Sequence, residues 1–186
     1  LEPSFYYNPK WSADSKKILF TDKRMNLWYL DLATKKVQII DSDTFDEPQQ
    51  DLNPTWSPDS KWIAYAKKLD NHQRAIFVYE LASGKKNQVT DGMSDAVSPA
   101  FSADGKYLFF AASTNYALNG GWLDMSSYER PIRRSIYAIV LNSQDKSPLA
   151  PQSDEETITN TDAPKTETTP KTDTKPKTDK PSEMPK

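Results

Sequence analysis

A motif of thirteen residues recurs at a fixed spacing and constrains the fold more than any other feature. Its copies are NPKWSADSKKILF (8–20), NPTWSPDSKWIAY (53–65) and SPAFSADGKYLFF (98–110). Trp11, Trp56 and Phe101 occupy the same place in the motif, so successive copies lie 45 residues apart. A period of about 40–45 residues is typical of stacked repeats such as the four-stranded blades of a β-propeller. The sequence therefore predicts consecutive blades.

Each repeat carries the signals of β-strands. Apolar and polar positions alternate or run briefly apolar, and β-branched and aromatic residues are common. The predicted strands are KKILFTD, NLWYLDL and KKVQIID, then KWIAYAKK, AIFVYEL and KKNQVTD, then KYLFFAAS and SIYAIVL. A short strand with Trp or Phe precedes each turn. We therefore expect an all-β fold, a partial β-propeller of about three four-stranded antiparallel blades.

The turn inside the motif has a mechanical explanation. Proline presets the backbone angle of a type I turn in SPDS (57–60), and an aspartate there accepts backbone N–H groups. The residue after the aspartate is expected to be left-handed, and the preceding Trp or Phe to be buried between blades. Asp14, Asp59 and Asp104 recur in every copy, which favours a structural role over a catalytic one.

Composition changes near residue 150 and sets the domain limits. From Pro151 onward the chain has no aromatic residue and mixes Pro, Thr, Lys, Asp and Glu. Such a segment buries too little apolar surface to offset the entropy lost on ordering. We expect a disordered linker or tail at 151–186 and a partial propeller at 1–150. The repeats are predicted at about 5–50, 51–95 and 96–145.

Charge and residue content exclude several classes of function. The chain has 24 Lys and Arg against 26 Asp and Glu, which gives no case for nucleic acid or an anionic membrane. No apolar run reaches the length of a transmembrane helix, so no membrane insertion is expected. Cysteine is absent, and the single histidine, His72, lies in a polar stretch predicted to be a solvated loop. We therefore predict no catalytic, cofactor-binding or metal-binding residues.

Two further stretches are candidate sites. The acidic run DSDTFDEPQQD (41–51) lacks the glycine and spacing of a calcium loop, so an inter-blade loop is expected. The segment 115–134 is longer than its counterparts in the other repeats, and long loops on rigid scaffolds often carry function. It either contacts a peptide or neighbouring domain, or packs on a blade edge. The candidate contact residues are Trp122, Asp124, Met125, Tyr128, Arg130, Arg133 and Arg134.

The motifs also resemble a known family. W-S-x-D-[SG]-K turns at this spacing are similar to those of TolB-like and tricorn-type β-propellers. The stretch containing GWLDMSSYERP and SPLAPQSDEE (111–156) resembles the end of the first propeller of bacterial tricorn-like serine peptidases. The resemblance implies the last half of a six-bladed first propeller, followed by a second propeller and a catalytic domain. The family's catalytic Ser, His and Glu would lie outside this chain.

The function implied by the resemblance is non-catalytic. The segment would restrict or guide peptide access and brace other domains, with the remaining blades, the catalytic domain and peptide substrates as partners. Alternatives are a TolB-like protein-binding propeller without enzymatic activity and the gating propeller of a prolyl-oligopeptidase-type enzyme. Three blades leave two outer faces uncovered, so association into a homo-oligomer is a further expectation. Bacterial members are often exported, which favours the periplasm and leaves the cytoplasm open.

Overall fold

The described part of the chain is built from β-strands. The computed structural model describes residues 3–45, 52–115 and 132–151. The strands are β1 (Tyr6–Trp11), β2 (Lys17–Asp22), β3 (Asn26–Asp31), β4 (Val37–Ser42), β5 (Thr55–Trp56), β6 (Trp62–Lys68), β7 (Arg74–Glu80), β8 (Lys86–Gln88), β9 (Asp95–Phe101), β10 (Tyr107–Ser113) and β11 (Ser135–Val140). Within these ranges no helix is present, which confirms the all-β prediction.

The strands form three antiparallel sheets, here called blades 1, 2 and 3. Blade 1 has the order β1-β2-β3-β4, blade 2 the order β5-β6-β7-β8, and blade 3 the order β11-β10-β9. The prediction of four strands is confirmed for blades 1 and 2. Within the described ranges blade 3 has three. After β11 the backbone N–H groups of Gln144 and Leu149 bond to the side chains of Asn142 and Ser147 in turns, which compete with strand pairing.

The predicted Ser–Asp turn is confirmed in every blade. The serine two positions before each aspartate donates its hydroxyl to the carboxylate at 2.5 Å. The same carboxylate accepts the backbone N–H two positions later at 3.0–3.2 Å. The residue after the aspartate is left-handed, with φ of 56° at Ser15, 59° at Ser60 and 71° at Gly105. These hydroxyls and carboxylates are therefore used to close hairpins.

Blade 2 is buried on both faces. The cluster between blades 1 and 2 contains Leu19, Leu27, Ile40, Leu52, Ile63, Tyr65 and Tyr79. The cluster between blades 2 and 3 contains Ala64, Ala66, Ile76, Val78, Ala96, Leu108, Phe110 and Ala112. Along β6 the two sets alternate residue by residue, because successive side chains of a strand point to opposite faces. Each large apolar side chain buried in this way stabilises the fold by about 1.5–3 kcal/mol.

The repeated aromatic residue packs against the preceding blade. Trp56 is half-buried beside the cluster between blades 1 and 2, and its Nε1 donates to the Lys10 carbonyl at 3.1 Å. Phe101 is half-buried in the same way against blade 2. Trp11 is 58% exposed, so the prediction that it is buried is wrong. The reason is that, among the described residues, no sheet covers that face of blade 1.

The outer faces of blades 1 and 3 are apolar. Cross-strand partners share a face, so the register places Trp11, Ile18 and Leu30 together on the side of blade 1 away from blade 2. In blade 3, Ile136 pairs with Ala111 on the side away from blade 2 and is 79% exposed. Both end blades thus present apolar side chains of the kind that blade 2 buries.

The chain divides into two units between Ala150 and Pro151. All the strands described belong to the first unit. The tail predicted at 151–186 lies outside the described residues except for Pro151.

Candidate functional site

A buried carboxylate holds the base of the 115–134 segment. Asp95, at the start of β9, is fully buried, and its Oδ2 accepts from Nη2 of Arg134 at 2.6 Å. Its Oδ1 accepts the backbone N–H of Arg74 at 3.2 Å. Asp95 pairs across the sheet with Ser113 at the end of β10, while Arg134 lies directly before β11. The 115–134 segment follows β10 and leads into β11. The ion pair therefore links the start of β11 to β9, on the other side of β10.

The structure separates the roles of the two predicted contact residues that it describes. Arg134 is bound to Asp95, so its described contact is structural. Arg133, its neighbour, is exposed to solvent at the same strand end. The other five candidates lie outside the described residues: Trp122, Asp124, Met125, Tyr128 and Arg130. The contact surface stays a prediction, with Arg133 as its described member.

A second buried carboxylate, Asp41 on β4, joins blade 1 to blade 2. Its Oδ2 accepts the Tyr65 hydroxyl at 2.7 Å, and its Oδ1 accepts from Nζ of Lys67 at 2.9 Å and Lys86 at 3.1 Å. Burial by itself raises the pKa of Asp41, but these hydrogen bonds and one from the Ser42 backbone outweigh burial and lower it. Burial and the adjacent carboxylate raise the pKa of Tyr65. The site holds an ionised acid and a neutral phenol at neutral pH.

The acidic run and His72, the candidates for metal binding and catalysis, contact other side chains of the scaffold. Asp41 begins the acidic run, and its partners are lysines and a tyrosine; residues 46–51 lie outside the described ranges. In the part of the chain that the structure describes, no group of three or more His, Cys, Asp or Glu is arranged to hold a metal ion. His72 is exposed in the β6–β7 loop, as predicted, with its ring 4.5 Å from that of Phe45. The described residues contain no helix long and apolar enough to cross a membrane.

A groove of about 420 Å³ opens between blades 2 and 3 beside the Ser–Asp turns. Trp62, Val78 and Phe101 supply apolar lining, and the exposed carboxylates of Asp59 and Asp104 belong to the same groove. The corresponding turns of blades 1 and 2 are instead linked by a hydrogen bond. The groove was not predicted from the sequence.

The cause of the difference is visible one blade earlier. Between blades 1 and 2 the backbone N–H of Asp14 donates to the Ser60 hydroxyl at 3.0 Å, which links the two turns. Position 105 of blade 3 corresponds to Ser60 but is glycine, which has no hydroxyl. In blade 1, Lys17 pairs with Asp14 at 3.4 Å, whereas Trp62 takes the place of Lys17 in blade 2. Both substitutions stand in the sequence and are its signal for the groove.

A second feature missed from the sequence lies in the first strand of blades 1 and 3 and directly before it in blade 2. Asn8, Asn53 and Ser98 have positive φ values of 54°, 39° and 55°, and each precedes a proline. The register of β1 with β2 and of β9 with β10 shifts at these positions, as at a β-bulge. The dipeptides NP, NP and SP recur at the 45-residue period and were the available signal.

A comparison with known protein families shows the family of the chain. The family model of the tricorn protease second β-propeller domain matches residues 2–185. The chain belongs to this family. The resemblance to tricorn-like peptidases is thereby confirmed. It implied the first propeller, however, whereas the family model that matches describes the second.

Individual relatives agree with the family assignment. A protein of Sulfurisphaera tokodaii named as a Tricorn-like protease C-terminal subunit is 32% identical over 149 residues. The match covers 80% of this chain and 16% of that protein, so the tricorn-family chain spans a small part of its relative.

Solved structures show the same fold. The crystal structure of the tricorn protease superposes with a TM-score of 0.59 at 21% identity, over 80% of this chain and 15% of that one. TolB from Acinetobacter baumannii superposes with a TM-score of 0.51 at 20% identity, over 76% of this chain and 31% of that one. These superpositions show the propeller fold, and the family match makes the three blades a segment of a tricorn propeller domain.

Proposed function

We propose that this chain is a non-catalytic propeller segment of a tricorn-like serine peptidase, and that it restricts or guides peptide access and braces the other domains. The observation that carries the proposal is the use made of polar side chains. The serine hydroxyls and aspartates of the turns close hairpins, and Asp41 and Asp95 join neighbouring strands and blades. Side chains suited to catalysis are occupied in building a scaffold.

The guiding role is assigned to the strand ends that carry the long 115–134 segment. The Asp95–Arg134 ion pair gives this segment a rigid base, and binding residues are often found on loops that a rigid scaffold positions. Arg133 presents an exposed cation there. A guanidinium at this place would attract peptide carboxylates.

The non-catalytic role is tested on the full-length protein with His72→Ala. A serine nucleophile needs an adjacent base, and His72 is the histidine of this chain. We expect peptide cleavage with kcat unchanged from the wild type. Loss of cleavage in a variant that keeps its thermal unfolding temperature would contradict the proposal.

The guiding role is tested with Arg133→Glu in the same protein. KM for peptides rich in Asp and Glu should rise at least threefold with kcat unchanged, because the cation acts on binding and not on the reacting bond. Lys35→Glu is the matched control, since Lys35 is an exposed cation in the β3–β4 turn at the opposite strand ends. Equal KM values in the two variants, or a fall in kcat for Arg133→Glu, would refute a guiding role for this surface.

A second candidate function is a TolB-like protein-binding propeller without peptidase activity. The similarity to TolB in fold favours it. A full-length protein that cleaves no peptide under any condition and yet binds a protein partner would support this alternative against the first.

A further inference from the structure

The groove between blades 2 and 3 has the chemistry of a site for a cationic side chain. Asp59 and Asp104 both accept their turn hydrogen bonds through Oδ1. In blade 1 the Oδ2 of the corresponding Asp14 meets Lys17, but Trp62 and Tyr107 stand at that position in blades 2 and 3. The described lining of the groove contains two carboxylates and no lysine or arginine.

We propose that this groove binds a lysine or arginine side chain of a peptide. The cationic group would lie between the carboxylates of Asp59 and Asp104, and its methylene stem would pack on the rings of Trp62 and Phe101. Aromatic faces attract such cations, and long basic side chains bury their stems on apolar surface. The volume of about 420 Å³ lies within the range of roughly 300–1,000 Å³ that is usual for ligand pockets.

The Asp104 carboxylate is charged at neutral pH. Hydrogen bonds from Ser102 and from the Lys106 backbone lower the pKa of Asp104, so it is ionised at neutral pH. Both aspartates are exposed and accessible to a ligand. The Lys106 charge also acts on Asp104, but Lys106 does not line the groove. An uncharged apolar side chain would fill the floor of the groove without pairing with either carboxylate, so we assign the cation as the occupant. The inference rests on the proposed function only for the statement that the ligand is a peptide.

The test measures the binding of short peptides to the full-length protein by isothermal titration calorimetry. The titration is run at low temperature, and mass spectrometry checks that the peptides stay intact. The probes are the capped pentapeptides Ac-Ala-Ala-X-Ala-Ala-NH2, in which X is lysine, arginine or norleucine. Norleucine keeps the stem of lysine and lacks its charge. We expect the lysine and arginine peptides to bind at least tenfold more tightly than the norleucine peptide. Equal binding of all three, or binding by none at millimolar concentration, would overturn the proposal.

Variants place the binding in the groove. The double variant Asp59→Asn with Asp104→Asn should weaken lysine-peptide binding at least fivefold, while the amide oxygens still accept the turn N–H groups. Asp14→Asn is the matched control, because it makes the same change in the equivalent turn of blade 1. Equal weakening in both variants would mean that the effect comes from the turns and not from the groove.

A third variant closes the groove without removing a charge. Gly105→Ser restores the hydroxyl that Ser60 uses to link the neighbouring turns. The change fits the backbone, because Ser15 and Ser60 adopt the same positive φ and a Cβ at position 105 meets no described heavy atom within 4 Å. Binding should fall at least fivefold, and unchanged binding would contradict the assignment. Absence of peptidase activity with binding intact would refute the proposed function alone.

Discussion

Removing the Asp41 carboxylate should loosen the joint between blades 1 and 2. In Asp41→Ala the hydroxyl of Tyr65, which is 0% exposed, loses its acceptor, and an unsatisfied buried hydroxyl costs about 1–3 kcal/mol. Lys67 and Lys86 each lose an ion pair, and at 21% and 45% exposure each loss adds less than about 1 kcal/mol. The expected destabilisation of the joint is therefore about 2–4 kcal/mol.

Hydrogen exchange of the full-length protein, followed by mass spectrometry, measures this change locally. Peptides covering β4 and β6 should exchange about 30-fold faster or more, which corresponds to about 2 kcal/mol. Asp70→Ala is the control, since Asp70 is an exposed carboxylate in the β6–β7 loop of blade 2. If both variants exchange alike in β4 and β6, the reasoning about the buried carboxylate fails.

A double-mutant cycle isolates the hydroxyl–carboxylate contact. Tyr65→Phe removes the hydroxyl that Asp41→Ala leaves unsatisfied. The double variant should therefore be less destabilised than the sum of the single variants, by about 1–2 kcal/mol. Strict additivity would show that the two groups do not interact as the 2.7 Å distance indicates.

Three further predictions concern the blade interfaces. In the isolated segment 1–151, studied below the concentration at which it associates, Trp56→Ala should lower the free energy of unfolding by about 1–3 kcal/mol. Trp11→Ala should lower it by less than about 1 kcal/mol, because only Trp56 packs on a preceding blade, and equal losses in urea unfolding would contradict this. The same segment should associate at micromolar concentration through its apolar outer faces, which light scattering measures as an increased mass. A monomeric mass together with cooperative thermal unfolding would refute that expectation. The lowered pKa of Asp41 means that its stabilising effect is complete above the unfolded-state pKa of about 3.9 and is lost as pH falls through the lower folded-state value. The difference between wild type and Asp41→Asn in urea unfolding should therefore shrink as the pH falls below about 3.9. A difference that stays constant or grows with falling pH would count against the assignment.

The turns and strands, which are set within a few residues, were predicted correctly from the sequence. The Ser–Asp turns closed as expected, with Ser15, Ser60 and Gly105 in the left-handed region, because the aspartate, the serine and the accepted N–H groups are near neighbours in the chain. Strand positions followed from side-chain alternation for the same reason. The 45-residue period then predicted the number of blades without knowledge of how they pack.

The fate of each apolar face was decided by the tertiary structure. Trp11 and Trp56 occupy the same place in the repeat, yet one is 58% exposed and the other contacts the blade before it. Sequence reasoning treated them alike because their local surroundings are alike. Burial of the repeated Trp depends on whether another sheet packs against it, and the repeat sequence alone does not show this.

The polar contacts between blades also needed the structure. Asp41 and Tyr65 are 24 residues apart, and Asp95 and Arg134 are 39 apart, so their meeting depends on strand register and blade packing. The sequence by itself determined the repeating unit, its strands and its turns, since these are set by local backbone preference and the alternation of side chains. The tertiary structure alone decided which carboxylates are buried and paired and where the groove opens, because those outcomes depend on what the neighbouring blade places opposite each residue.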